Sequence, residues 1–240
     1  MNLTDFKVLT FDCYGTLIDW EAGIAQALSP LMNKADTSRE QALETFAKHE
    51  SAQEEETPSM PYSQLLSFVY KRLAKEWSIT VTNEEANIFG ASVPDWPEFP
   101  DSAEALAYLK RHYKLIILSN VDRISFRSSN ARLKVEFDAI YSAQDIESYK
   151  PSLRNFEYMI SRVKQDFDLE PSAILHTAQS LFHDHAPANQ MGLASAWIDR
   201  RHAGGSWGAT MAPPGMPHYD YRFESMGEMA RAHAAEHTGH

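Results

Sequence analysis

The stretch Phe6-Lys7-Val8-Leu9-Thr10-Phe11 runs straight into Asp12, and Gly15-Thr16 follow close behind. β-Branched and aromatic residues in an almost unbroken apolar run read as a strand buried on both faces. A carboxylate at the end of such a strand, beside a glycine, stands where backbone amides can approach a ligand. Further strand-like runs are Tyr113 to Leu118, Phe137 to Tyr141, Ala173 to His176 and Leu193 to Ile198, with helical patterns such as Phe156 to Val163 between them. Parallel crossovers need a helix between strands, so this alternation predicts an α/β core: a doubly wound parallel sheet covered on both faces. Chemistry in such sheets collects at the carboxyl ends of the strands. Asp12, Ser119, the loop before Lys150 and the residues after Leu175 all fall there.

Between Trp20 and about Phe99 the pattern changes. No β-rich run appears, while Gln41 to Glu56 and Tyr62 to Ile79 space apolar residues by three and four, as helices with one buried face do. This predicts a helical cap over residues 19–99, inserted between core segments 1–18 and 100–240, with connecting segments near 18–20 and 94–100. Pro94, Pro97 and Pro100 punctuate the second one, and Asp101-Ser102-Ala103-Glu104 has the side chains of a capping box that restarts the core with a helix to Arg111. The last stretch, Ala203 to His240, reads as a loop-rich tail over the core, without periodicity until Met226 to Ala235.

A formal charge of −11 and a pI near 5.3 argue against nucleic acid or an anionic membrane as the main partner. Any anion must be held by local groups. Cys13 is the only cysteine, which excludes an intrachain disulfide and zinc sites built on two thiolates. No apolar leader stretch opens the sequence and no run is long enough to span a bilayer. Together these predict a cytoplasmic protein.

Three more groups follow Asp12 in order. Leu118-Ser119-Asn120 ends an apolar strand with a hydroxyl and an amide that can hydrogen-bond an anionic group, though alone it reads as well as a turn. Tyr149-Lys150-Pro151 brings a cation just ahead of a helix. Gln179-Ser180-Leu181-Phe182-His183-Asp184 carries one acid, which is equally an N-cap candidate.

With these four segments in this order, the chain resembles the haloacid dehalogenase superfamily, a Rossmann-like core with a helical cap. Phosphatases of that superfamily place a second Asp two residues after the nucleophile as general acid, and acids in the fourth segment that help hold magnesium. Here those positions are Tyr14 and Gln179. A phenol is a poor proton donor near neutral pH, and halide leaves without needing a proton. Asp12-Cys13-Tyr14-Gly15-Thr16 is similar to the type II L-2-haloacid dehalogenases over most of the chain.

The resemblance implies that Asp12 attacks C2 of a short 2-haloalkanoate, expels halide and forms an ester that water then cleaves. It implies that Lys150 stabilises the carboxylates and that Asp184 helps activate the water. Thr16, Ser119, Asn120 and the amides of Cys13 and Tyr14 would hold the substrate carboxylate, with Ser180 beside them. No metal and no organic cofactor is implied; the partner is a small anionic substrate, and the apolar cap helices permit a homodimer. A magnesium-dependent phosphatase, and a silent member that binds a small acid or a partner protein, are the competing readings.

Three positions depart from that pattern. The family's halide-binding cap arginine has no counterpart in Phe46-Ala47-Lys48-His49-Glu50, which leaves Lys48 or His49 to substitute. A family tyrosine near the site becomes Phe156, and the fourth segment's Ser and Asn positions fall on Gln179 and Leu181. His176, His183 and His185 lie near one another in sequence and are conceivable metal ligands, but His183 and His185 flank Asp184 and, in an extended segment, point away from it, so supporting or surface roles are expected of them. His233, His237 and His240 suit a solvated tail, and Glu54-Glu55-Glu56 a solvated cap surface. Trp20 is a candidate wall of the pocket, and Cys13, beside an acid, is a poor nucleophile.

Overall fold

A computed structural model describes residues 1–201 and 206–238. Six strands form one sheet: β1 (Val8–Phe11), β2 (Lys114–Ser119), β3 (Ala139–Ser142), β4 (Ile174–Ala178), β5 (Ala194–Ile198) and β6 (Tyr221–Phe223). Their order is β3-β2-β1-β4-β5-β6 and every pairing is parallel. All four residues of β1 are buried, as its unbroken apolar run requires of a central strand flanked on both edges. The chain moves to one side of β1 for β2 and to the other for β4, so the carboxyl end of β1 is the switch point where a crevice opens. Asp12 is the next residue.

Five helices lie between β1 and β2, and the first four make up the inserted helical segment: α1 (Trp20–Ala35), α2 (Arg39–Glu56), α3 (Tyr62–Glu76) and α4 (Asn83–Gly90). Only α2 and α3 stand out as helical patterns in the sequence; Gly23 and Pro30 inside α1 blur its signal. Ser38 with Gln41 caps α2, and Thr82 with Glu85 caps α4, each side chain satisfying an otherwise orphaned amide. Edge-to-face rings of Trp20, Phe46 and Phe89, with centroids 6.2 Å apart in each successive pair, fill the space between these helices. The two connecting segments run side by side: Asp19 donates to the Pro97 carbonyl at 2.7 Å, and Phe99 to that of Leu17 at 3.0 Å.

The fifth, α5 (Ser102–Leu109), leads into β2, and after β2 come α6 (Arg123–Leu133), α7 (Ala143–Ile146), α8 (Leu153–Phe167), α9 (Ala186–Gln190) and α10 (Met226–Thr238). The capping box expected at Asp101 does not form. Its carboxylate accepts instead from Arg200 Nη1 at 2.7 Å and from the Gly227 amide at 2.9 Å. The tail is also more ordered than expected, since β6 extends the sheet and α10 packs on α5. His233 is buried there against Tyr108 and Tyr113, while His237 is exposed and His240 lies outside the described residues. No helix among them is long and apolar enough to cross a membrane.

Candidate active site

Asp12 Oδ1 accepts from Lys150 Nζ at 3.0 Å, and Oδ2 from the Thr16 hydroxyl at 2.7 Å. The same ammonium donates to Asp184 Oδ1 at 2.7 Å and to the Leu118 carbonyl at 3.0 Å, which uses all three of its protons. A buried lysine ordinarily loses affinity for its proton. Here burial is outweighed by Asp12 and Asp184, and Lys150 is held above its ordinary value. Asp184 also accepts from His176 Nε2 at 2.9 Å; burial opposes its charge, but Lys150 and His176 overcome that and hold its carboxyl below the usual range. Asp12, with less support, is raised by burial, against the pull of Lys150. The two acids share one cation, and Asp184 is the more readily ionised.

Thr16 is spent on positioning. Its hydroxyl donates to Asp12 and accepts from the Gln179 amide at 2.9 Å, so it has no proton left for the substrate contact expected of it. Asn120 is likewise a brace: its Oδ1 accepts from the Lys150 amide at 2.7 Å, while Nδ2 donates to the Lys150 carbonyl at 3.2 Å and to Glu54 Oε1 at 2.9 Å. Ser119 Oγ accepts from the Val121 amide at 3.2 Å, which leaves its own proton to aim at a ligand. Tyr14 walls the cavity and its hydroxyl pairs with Ser129 Oγ at 2.8 Å. Burial drives the Tyr14 phenol well above its ordinary value, and Cys13, buried beside Asp12, is also pushed up.

These groups border a small cavity of about 30 Å³, room for about one or two water molecules. Its floor is Asp12, Lys150 and Asp184 from the core; Ser119, Asn120, Ser180 and Trp20 also line it. The expected ligands Lys48 and His49 are absent from it. Both donate to Glu76 on the outside of the cap, at 3.1 Å and 2.7 Å, because the inner face of α2 carries Phe46, Glu50, Gln53 and Glu54 at helical spacing. Glu54 therefore leaves the solvated surface expected of it and roofs the cavity with Glu50, whose carboxylate accepts from the Tyr62 hydroxyl. Phe156 also misses the cavity, packing edge-on against His176 with centroids 5.2 Å apart.

Residues 181–185 form one π-helical turn whose first amides are capped by Ser180. That turn replaces the extended segment expected and brings His183 to the cavity beside Asp184, whereas His185 is tied to Ser195 and to the Ala178 carbonyl, both at 3.0 Å. Thr210, from the tail, also lines the cavity. Glu50, Glu54, His183 and Thr210 went unread in the sequence as site residues. The one signal for the first two is that acids occupy the apolar stripe of α2. Among the described residues no group of three or more His, Cys, Asp or Glu side chains is arranged to hold a metal ion.

The haloacid dehalogenase-like hydrolase profile matches residues 6–177. An (S)-2-haloacid dehalogenase of Pseudomonas sp. (strain YL) is 26% identical over 209 residues, covering 81% of this chain and 83% of that protein. The structure of a defluorinating L-2-haloacid dehalogenase superposes with a TM-score of 0.74 at 20% identity over 96% of this chain and 97% of the other. The L-2-haloacid dehalogenase of Xanthobacter autotrophicus with chloropropionic acid covalently bound gives 0.72 at 18% identity over 94% and 97%. At these identities the superpositions establish the fold alone. A match over most of the chain, on a parallel six-stranded core with Asp12 at its switch point, makes this protein a member of the haloacid dehalogenase-like hydrolase family.

Proposed function

We propose that the chain hydrolyses short L-2-haloalkanoic acids to 2-hydroxy acids and halide, through an ester on Asp12. The observation that carries this reading is the single ammonium of Lys150 bridging Asp12 and Asp184 beneath a small cavity. One carboxylate is thereby aimed as nucleophile while a second stays ionised beside it. Asp12 attacks C2, the halide departs on the opposite side and the configuration inverts. A water polarised by Asp184 then adds to the ester carbonyl and releases the hydroxy acid. Ser119, Ser180 and the amides of Cys13 and Tyr14 would hold the substrate carboxylate. Tyr14, a phenol that burial pushes well above its ordinary value, is a poor proton donor to a phosphoester leaving oxygen, which favours carbon–halogen over phosphate chemistry. The small size of the cavity means the cap opens to admit substrate and shuts to keep bulk water from the ester. A lone buried cysteine suits a reducing cytoplasm, and pairing of two copies through the cap belongs to the same proposal.

The test is halide release from racemic 2-chloropropionate and from chloroacetate in excess chelator, with Asp12→Asn beside the intact protein. Release by the intact protein alone, consuming one enantiomer, is the expected result. Release only of phosphate from phosphoesters, and only with magnesium, would replace this reading.

A further inference from the structure

The cavity has a roof that the displacement described above leaves idle. Glu50 and Glu54, both buried, reach the cavity from α2, and among the described residues neither has a lysine or arginine within ion-pair distance. A carboxyl group removed from water without a counter-ion keeps its proton. Burial pushes Glu50 up to about 8, and burial with the neighbouring Glu50 takes Glu54 well above its usual range. Both enter the reaction as carboxylic acids.

Their proton positions differ in use. Glu50 already accepts from the Tyr62 hydroxyl. Glu54 Oε1 accepts from Asn120 Nδ2 at 2.9 Å, which leaves Oε2 to carry the proton. Oε2 lies 3.8 Å from His183 Nε2, too far for a hydrogen bond. That nitrogen is itself buried without a partner among the described residues, and burial holds the ring neutral, its pKa down to about 4. Two polar atoms thus face the same small space, one an acid and one an unpaired imidazole nitrogen.

Displacement at carbon is in line, so an atom driven off by Asp12 leaves on the side away from that carboxylate, within the small cavity that Glu54 also lines. Chloride and bromide need nothing there. Fluoride is the conjugate base of a weak acid, holds its carbon strongly and departs far more readily with a proton. We infer that Glu54 is the proton donor to the leaving atom, which extends the site to 2-fluoro acids.

This inference rests on the dehalogenating reading. Asp12 forms the C–O bond as the C–F bond breaks; the electron pair leaves with fluorine, which takes the Glu54 proton and departs as hydrogen fluoride. Water then cleaves the ester, one of its protons completing the alcohol and the other restoring Glu54. The sum is a fluoro acid and water giving a hydroxy acid and hydrogen fluoride.

Glu54→Gln keeps the shape and the oxygen that faces Asn120 while removing the transferable proton. Fluoride and chloride release from 2-fluoropropionate and 2-chloropropionate are measured for both proteins across pH. A general acid contributes about 10²- to 10⁴-fold. The expected result is a loss of that size for fluoride with chloride changed less than about tenfold, and a fluoride-to-chloride ratio that falls with rising pH in the intact protein alone. Equal losses for both halides, or no loss, would overturn the assignment. An intact protein that releases chloride and never fluoride would also overturn it while leaving the dehalogenase reading in place; release of neither halide would remove both. Should Glu54→Gln fail to fold, the pH dependence of the ratio in the intact protein decides, and a flat ratio rejects the donor.

Discussion

The Arg200 guanidinium grips the main-chain carbonyl of Thr16 with two hydrogen bonds, from Nε at 3.1 Å and from Nη2 at 2.9 Å. Its third nitrogen pairs with Asp101, and the planar group lies over the Phe99 ring, 4.0 Å from the centroid. One side chain after β5 thereby fixes the loop that carries the nucleophile to the segment that returns from the cap. Lysine has one charged nitrogen and no planar fork. Arg200→Lys is expected to lower kcat about 10- to 100-fold, the scale of a misplacement near 1 Å, with KM little changed. Steady-state kinetics on the halo acid that the intact protein turns over check this, and an equal rise in KM would argue against a positioning role.

Lys150 is the cation that the buried carboxylates of Asp12 and Asp184 share. Lys150→Met leaves both without it, and breaking a buried ion pair in this way costs about 3–5 kcal/mol. Asp12→Asn is milder, because Lys150 keeps Asp184 and the Leu118 carbonyl. Urea unfolding of the two variants should rank them in that order, and the reverse order would count against Lys150 as the hub.

Glu50 in the roof and Asp184 in the floor of the cavity respond to pH in opposite senses. Glu50 binds its proton more tightly in the fold, at about 8 against an ordinary 4.5. Its contribution to stability is therefore complete below about pH 4.5 and is lost as pH rises through about 8. Asp184 is depressed in the fold, so its contribution is present above its ordinary value of 3.8 and is lost on acidification. Stability measured by thermal unfolding is expected to peak between these limits and to decline toward pH 9, with Glu50→Gln flattening the alkaline arm. An alkaline arm as steep in that variant as in the intact protein would remove Glu50 as its cause.

A Cβ at Gly23 would stand 2.3 Å from the Trp96 ring, where α1 crosses the segment returning from the cap. Trp96 is fully buried and has no room to yield. Gly23→Ala is therefore expected to destabilise the fold by about 1–3 kcal/mol through overpacking, even though alanine is the better helix former. Chemical denaturation reads this directly, and a neutral or stabilising result would mean the cap shifts to accommodate the methyl group.

Much of the core was legible from residues 6–12 and the later apolar runs, because a central parallel strand must be apolar on both faces and its carboxyl end must face the crevice. Asp12, Lys150 and Asp184 were legible as candidates for the same reason: each sits where a strand or loop meets that crevice. The capping box at Asp101 failed because a nearby guanidinium and the Gly227 amide compete for the same carboxylate, and neither competitor is near in sequence.

The sequence by itself determined the sheet and the place of Asp12 at its switch point, since these follow from local period and strand-end position, while Lys150 as the cation beside it followed from the family resemblance. Only the tertiary structure decided which face of α2 turns inward, sending Lys48 and His49 to Glu76 and bringing Glu50 and Glu54 over Asp12. It also decided that a π-turn swings His183 to the cavity beside Asp184. The physical reason is that a helix phase and a side-chain direction are chosen by what packs across from them, and those partners lie tens of residues away along the chain.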